Sequence, residues 1–244
     1  MNFPTTQWNI VEALKVEDEE ARRQAQGEII GIYGAPLLAF ALRHSHGTRS
    51  AEDCEDLVND FFLRCVEGGI LARADRARGK FRSFLATSFK YYISNDRRSS
   101  HTQRRRPSGG FVSLAALTEE FGSTLEPRTT ETAEDAFNRV LRRSLFERVL
   151  REFGNRCRAS GRETAWQLFL RHDVKPIRDG TSVPTYGALA EECHLPSENA
   201  VKKMVLAARG DFRRLLLAAI SRDCASPEEA QAECELVLAT ALHS

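Results

Sequence analysis

An all-α protein, built as two helical domains joined by a flexible linker, is the fold class this sequence predicts. Three observations predict it. Apolar residues recur at three- and four-residue spacing through most of the periodic stretches. Helix-capping signatures head several of those stretches: Ser50 with Asp53, Thr185, Ser197, and Ser226 followed by Pro227. A basic, breaker-rich segment starting at Ser99 separates the two halves.

Composition limits the function classes. At 244 residues the chain has room for one or two domains of about 100–200 residues each. With 42% hydrophobic and 28% charged residues it reads as an ordinary globular protein. A net charge of +1 excludes a uniformly basic nucleic-acid coat but leaves room for local patches. The six cysteines are scattered, with no C-x-x-C pair and no histidine at zinc-finger spacing, so neither metal nor cofactor is expected. Residues 1–8 lack the basic start and apolar core of a signal peptide. No apolar run approaches the length of a membrane span. A reduced cytoplasm without membrane insertion is the expected setting.

Taken in order, residues 8–46 read as two helices. Ile10, Val11 and Leu14 mark a short one, and Ile29, Ile30, Tyr33, Leu37, Leu38 and Leu42 a longer one with Pro36 inside it as a segment start or kink. Residues 44–50 form a polar break, where His44 and His46 read as solvated loop histidines because no third metal ligand lies nearby. The stretch 51–98 organises the rest. Its first helix puts Cys54, Leu57, Val58, Phe61, Phe62, Cys65 and Val66 on one face and Glu52, Glu55, Asp56, Asn59 and Asp60 on the other. Glu52 and Asp53 complement the dipole of the first turn, whereas Asp56, Asn59 and Asp60 lie beyond its reach and read either as a solvated face or as a contact surface. Cys54 and Cys65 are expected as buried thiols.

Gly68 and Gly69 end that helix, and residues 75–80 form a turn. The next helix buries Phe81, Phe84, Leu85, Ser88, Phe89, Tyr92 and Ile93, leaving Arg82, Lys90, Tyr91, Asn95, Arg97 and Arg98 outside. Between residues 90 and 106 the only acid is Asp96, and such a run can track phosphates or simply be solvated. Residues 99–134 read as a tether with one short packed piece at 111–114.

A second domain is expected over 135–222. It opens with a long helix through Phe137, Val140, Leu141, Leu145, Val149 and Phe153, followed by one around Trp166 and a loop over 176–180. A short helix capped by Thr185, a turn at residues 194–196, and a long helix from Ser197 to about Ile220 form a helix-turn-helix pattern. Val201, Met204, Val205 and Ala208 point inward. A tail over 223–244 carries a helix with the apolar stripe Ala230, Cys234, Val237, Leu238 and Ala241, expected to pack on the second domain.

In this order, the 52–64 helix, the 81–98 helix and the 185–217 helix-turn-helix resemble an extracytoplasmic-function (ECF) RNA polymerase sigma factor. The start at residues 3–8 and the tail helix resemble a subgroup with a short C-terminal extension. Residues 1–98 would correspond to sigma region 2, 99–134 to the linker, and 135–222 to region 4. The resemblance implies core RNA polymerase and promoter DNA as partners, and leaves room for an anti-sigma protein. It carries the polymerase contact to Asp56, Asn59, Asp60 and Arg64, an acidic face suited to a basic coiled coil. Promoter melting falls to Lys90, Arg97 and Arg98 on phosphates, Tyr91 as a stacking ring and Asn95 at a base edge. A half-buried surface tyrosine is the other reading of Tyr91.

In region 4 the resemblance points to Ser197, Glu198, Asn199 and Lys202, with Lys203, Arg209 and Arg213 behind them. Two departures stand out. His194 occupies a turn position often held by glycine, and residues 206–208 replace part of the usual basic run.

Three rivals come from other classes. Asp56-x-x-x-Asp60 resembles the aspartate-rich metal sites of all-α prenyl-transfer enzymes, but no second acidic motif faces it and Arg64 opposes a cation. A ligand-responsive helix-turn-helix regulator leaves residues 51–98 unexplained. A sigma-like protein that binds polymerase without initiating is motivated by the thin basic face of region 4. The expectation is an initiation factor without catalytic residues.

Overall fold

The computed structural model describes residues 7–96, 111–126, 128, 130–221 and 224–242, and the regular elements among them are all helical. They are α1 Gln7–Ala13, α2 Glu19–Ser45, α3 Ala51–Glu67, α4 Phe81–Asp96, α5 Leu114–Phe121, α6 Ala133–Ala159, α7 Glu163–Phe169, α8 Lys175–Arg178, α9 Tyr186–Glu192, α10 Glu198–Ile220 and α11 Pro227–Leu242. The chain divides into two compact units, Met1–Leu141 and Arg142–Ser244. That boundary falls inside α6, because Ala136, Phe137, Val140 and Leu141 are buried in the first core and Phe146, Val149 and Phe153 in the second.

In the first unit, burial follows the apolar stripes. Helix α2 supplies Ile29, Tyr33, Leu37 and Phe40, all at most 1% exposed, and α3 supplies Cys54, Val58, Phe61, Phe62 and Cys65. Aromatic rings knit these to α4: Tyr33 meets Phe81 edge-on at 5.5 Å, and Phe61 meets Phe89 at 5.0 Å. Against the expectation that no apolar run approaches a membrane span, helix α2 is long and apolar enough to cross a membrane by length and composition. Of its apolar window, 72% is buried inside the unit.

Helix starts follow the capping chemistry. Ser50 Oγ accepts from the Asp53 N–H at 3.1 Å and Asp53 returns a bond from the Ser50 N–H, a complete capping box. At the far end of α2, His46 caps with φ of +46° and its N–H donates to the Arg43 carbonyl. His46 thus shapes the polar break.

Part of the expected tether is ordered. Val112 is buried, α5 follows it, and Leu125 is 4% exposed, because apolar residues within 111–125 reach the first core. The loop expected over 176–180 is also corrected. The chain widens into one π turn at Leu170–Val174 and passes into α8, where Pro176 suits a first helical turn that needs no N–H from it.

The second unit packs Phe146, Phe153, Trp166, Phe169 and Phe212 around a common centre, with Phe153 perpendicular to Phe169 at 5.6 Å. Tail helix α11 buries Ala230, Cys234, Val237 and Ala241 in the same core, as its stripe anticipates. Ser226 Oγ accepts from the Glu229 N–H, while the Glu229 carboxylate takes the Ala225 N–H. The box therefore closes one residue earlier than the motif suggests.

Candidate nucleic-acid interface

In the first unit, α4 sorts its side chains cleanly. Phe81, Leu85, Phe89 and Ile93 are buried, while Tyr91 stands 69% exposed on the far side. That exposure removes the half-buried reading of Tyr91. Asn95, four residues on and also exposed, shares its side of the helix. An exposed ring beside an amide offers a stacking face and a donor–acceptor pair.

Lys90 is exposed as well, but its ammonium donates to Glu134 at 2.7 Å. That bond, followed by the carboxylate's charge, raises the Lys90 pKa, so a phosphate must compete with Glu134 for it. Arg97 and Arg98 lie outside the described residues.

The acidic face of α3 differs from its sequence reading. Asp56, Asn59 and Asp60 are half-buried, and Arg64 is exposed with its guanidinium carbon 5.1 Å over the Tyr92 ring. Asn59 is committed inside the chain. Its Nδ2 donates to the Val112 carbonyl at 3.0 Å, and its Oδ1 accepts the Val112 N–H at 2.8 Å. It holds backbone rather than waiting for a partner. The sequence carries no signal for this pairing, since the two residues lie 53 apart.

In the second unit, Leu168, Leu189, Ala190, Val201 and Val205 form a small core that fixes α9 against α10. Thr185 Oγ1 caps α9 by accepting the Ala188 N–H, and Ser197 Oγ caps α10 by accepting the Ala200 N–H. Between them His194 takes the left-handed conformation, with φ of +52°. Histidine holds this left-handed position at the strain expected for a non-glycine residue.

Ser197, Glu198, Asn199, Lys202 and Lys203 are exposed on the first turns of α10. Arg209 and Arg213 do not join them as unengaged cations. Arg209 Nε donates to Asp173 at 2.6 Å, and Arg213 pairs with Glu235 of α11. The bond to Asp173 raises the Arg209 pKa and keeps it charged. These acids sit in the π turn and the tail, outside the residues that sequence analysis singled out.

A further cluster escaped sequence reasoning. His172 Nδ1 lies 2.7 Å from Asp173 Oδ1, and the imidazole stacks on Tyr186 at the start of α9. Only the widened π turn brings His172 and Asp173 to this spot, and no sequence motif marks it.

No group of three or more metal-ligating side chains forms among the described residues. No family model, curated protein or solved structure matches the chain.

Proposed function

We propose that this chain is a sigma-type initiation factor without catalytic residues of its own, which binds core RNA polymerase and directs promoter recognition and melting in the cytoplasm. The observation that carries the reading is Tyr91. A helix that buries Phe81 and Phe89 keeps one large ring, Tyr91, 69% exposed, with Asn95 on the same side. Stacking an unpaired base is the use that best rewards such a ring. The capped helix-turn-helix, with Glu198, Asn199, Lys202 and Lys203 exposed, supports upstream duplex contact through base edges and phosphates. The acidic α3 surface supports a basic helical partner.

Run-off transcription with purified core polymerase, on duplex and pre-melted promoter libraries, tests this. Transcripts are expected from both template kinds. Tyr91→Ala should suppress duplex transcripts more than pre-melted ones. Absence of polymerase binding would falsify the reading.

One observation favours a second reading. Arg209 and Arg213 are tied to Asp173 and Glu235, which thins the cationic face of α10. A sigma-like or helix-turn-helix regulator that does not itself initiate fits that face, and predicts polymerase or DNA binding without transcripts.

A further inference from the structure

The stretch from residue 111 to residue 126 lies across the first unit as a strap, and three separate devices hold it. Asn59 takes both backbone groups of Val112, with bonds of 3.0 and 2.8 Å. The Val112 side chain, 5% exposed, fills a notch on α2 that exists because residue 34 is glycine: a Cβ there would come within 2.9 Å of Val112 Cγ2. At the other end, Arg139 donates to the carbonyls of Thr124 and Glu126 while pairing with Glu131 at 2.7 Å.

The first of these devices sits on the polymerase-facing helix. Asn59 shares a face of α3 with Asp56, one turn earlier, and Leu63, one turn later. A basic helix laid along that face meets the strap at Asn59. We propose that the strap is an internal occupant of the α3 face, and that it must lift before a basic helical partner can bind there fully. This inference rests on the sigma reading. The equilibrium between strapped and lifted forms then lowers the apparent affinity by the fraction of chain that is lifted.

Gly34→Ala gives a test that does not sacrifice the fold. Alanine raises the helix propensity of α2, yet its Cβ expels Val112, whose branched side chain has few rotamers to retreat into. Val112→Gly empties the notch from the strap side and replaces no residue of α3. Gly34→Ala combined with Val112→Ala restores room and should restore the strap. Two quantities are read in each chain: hydrogen exchange at the residue 112 amide, and affinity for purified core RNA polymerase.

Faster exchange and roughly tenfold tighter polymerase binding in Gly34→Ala and Val112→Gly, both reversed in the double variant, is the expected result. Faster exchange with unchanged affinity overturns the strap as a gate and leaves the sigma reading standing. Unchanged exchange in both single variants overturns the strap as a releasable element. If no chain binds polymerase while exchange at residue 112 responds, the sigma reading fails and takes this inference with it.

Discussion

The imidazole of His172 lies flat on the ring of Tyr186, with centroids 4.5 Å apart and planes 8° from parallel. This stack joins the π turn to the start of α9, and Asp173 holds the imidazole from the side at 2.7 Å. His172→Ala should destabilise the second unit by about 1 kcal/mol. A double-mutant cycle with Tyr186→Leu, read from urea unfolding, should give a coupling of about 0.5–1.5 kcal/mol. Additive effects would mean that the stack is only a proximity.

Gly154 makes a second packing prediction. A Cβ on this α6 residue would sit 2.9 Å from Cε2 and Cζ2 of Trp166, which is itself 5% exposed. Helix propensity favours alanine at this site, but an indole ring boxed in by Phe153 and Phe169 has little room to move. Gly154→Ala should therefore destabilise by about 1–3 kcal/mol, the usual range for overpacking. Tryptophan fluorescence should shift in the folded state.

Two carboxylates set an acid limit on the first unit. Burial pushes the Glu131 pKa up, but bonds from Arg139 and the Arg128 N–H outweigh it and hold the group below its ordinary 4.5. The bond from Lys90, against a smaller burial effect, lowers Glu134 likewise. A depressed folded pKa contributes stability that is complete above the unfolded value and is lost as pH falls through the folded one. Stability of the first unit should hold from neutral pH to about pH 5 and then fall as pH drops below that. Arg139→Gln, followed by circular dichroism across the same range, should show a shallower fall. An identical slope in both chains would remove Glu131 from the account.

Thiol labelling probes the cores directly. Burial raises the Cys65 thiol pKa to about 12, and the side chain is 2% exposed. Cys193 and Cys224 are only partly buried. At mildly alkaline pH the latter two should react with maleimide in the native protein, and Cys65 only after unfolding. Native-state labelling of Cys65 would contradict the packing of α3.

The sequence made local features legible and left distant ones hidden. Apolar spacing placed α3, α4 and α10 because each stripe repeats within a few residues, and Ser50, Thr185 and Ser197 marked helix starts because capping acts over three residues. Tyr91 and Asn95 emerged on the outside of α4 for the same periodic reason. The bond between Asn59 and Val112 stayed hidden because Val112 lies far along the chain, in a stretch whose serine, glycine and proline content reads as tether. Arg209 and Arg213 looked like available cations because Asp173 and Glu235 approach them only through folding. A π turn has no sequence period of its own, so the His172 cluster had nothing to announce it.

The tail helix is fastened by charge as well as by its apolar stripe. Arg142 Nε donates to Glu233 at 3.0 Å, and Arg143 Nη1 donates to the Ala241 carbonyl at 2.8 Å. Glu233 is 8% exposed, so removing Arg142 takes a charge-assisted bond away from a nearly buried carboxylate. Arg142→Ala should therefore cost about 3 kcal/mol, more than the loss of a surface pair. Adding Glu233→Gln removes the buried charge and should recover a good part of that loss. If the pair only decorates the surface, Arg142→Ala will shift the urea midpoint little and Glu233→Gln will rescue nothing. The tail would then be held chiefly by its apolar stripe of Ala230, Cys234, Val237 and Ala241.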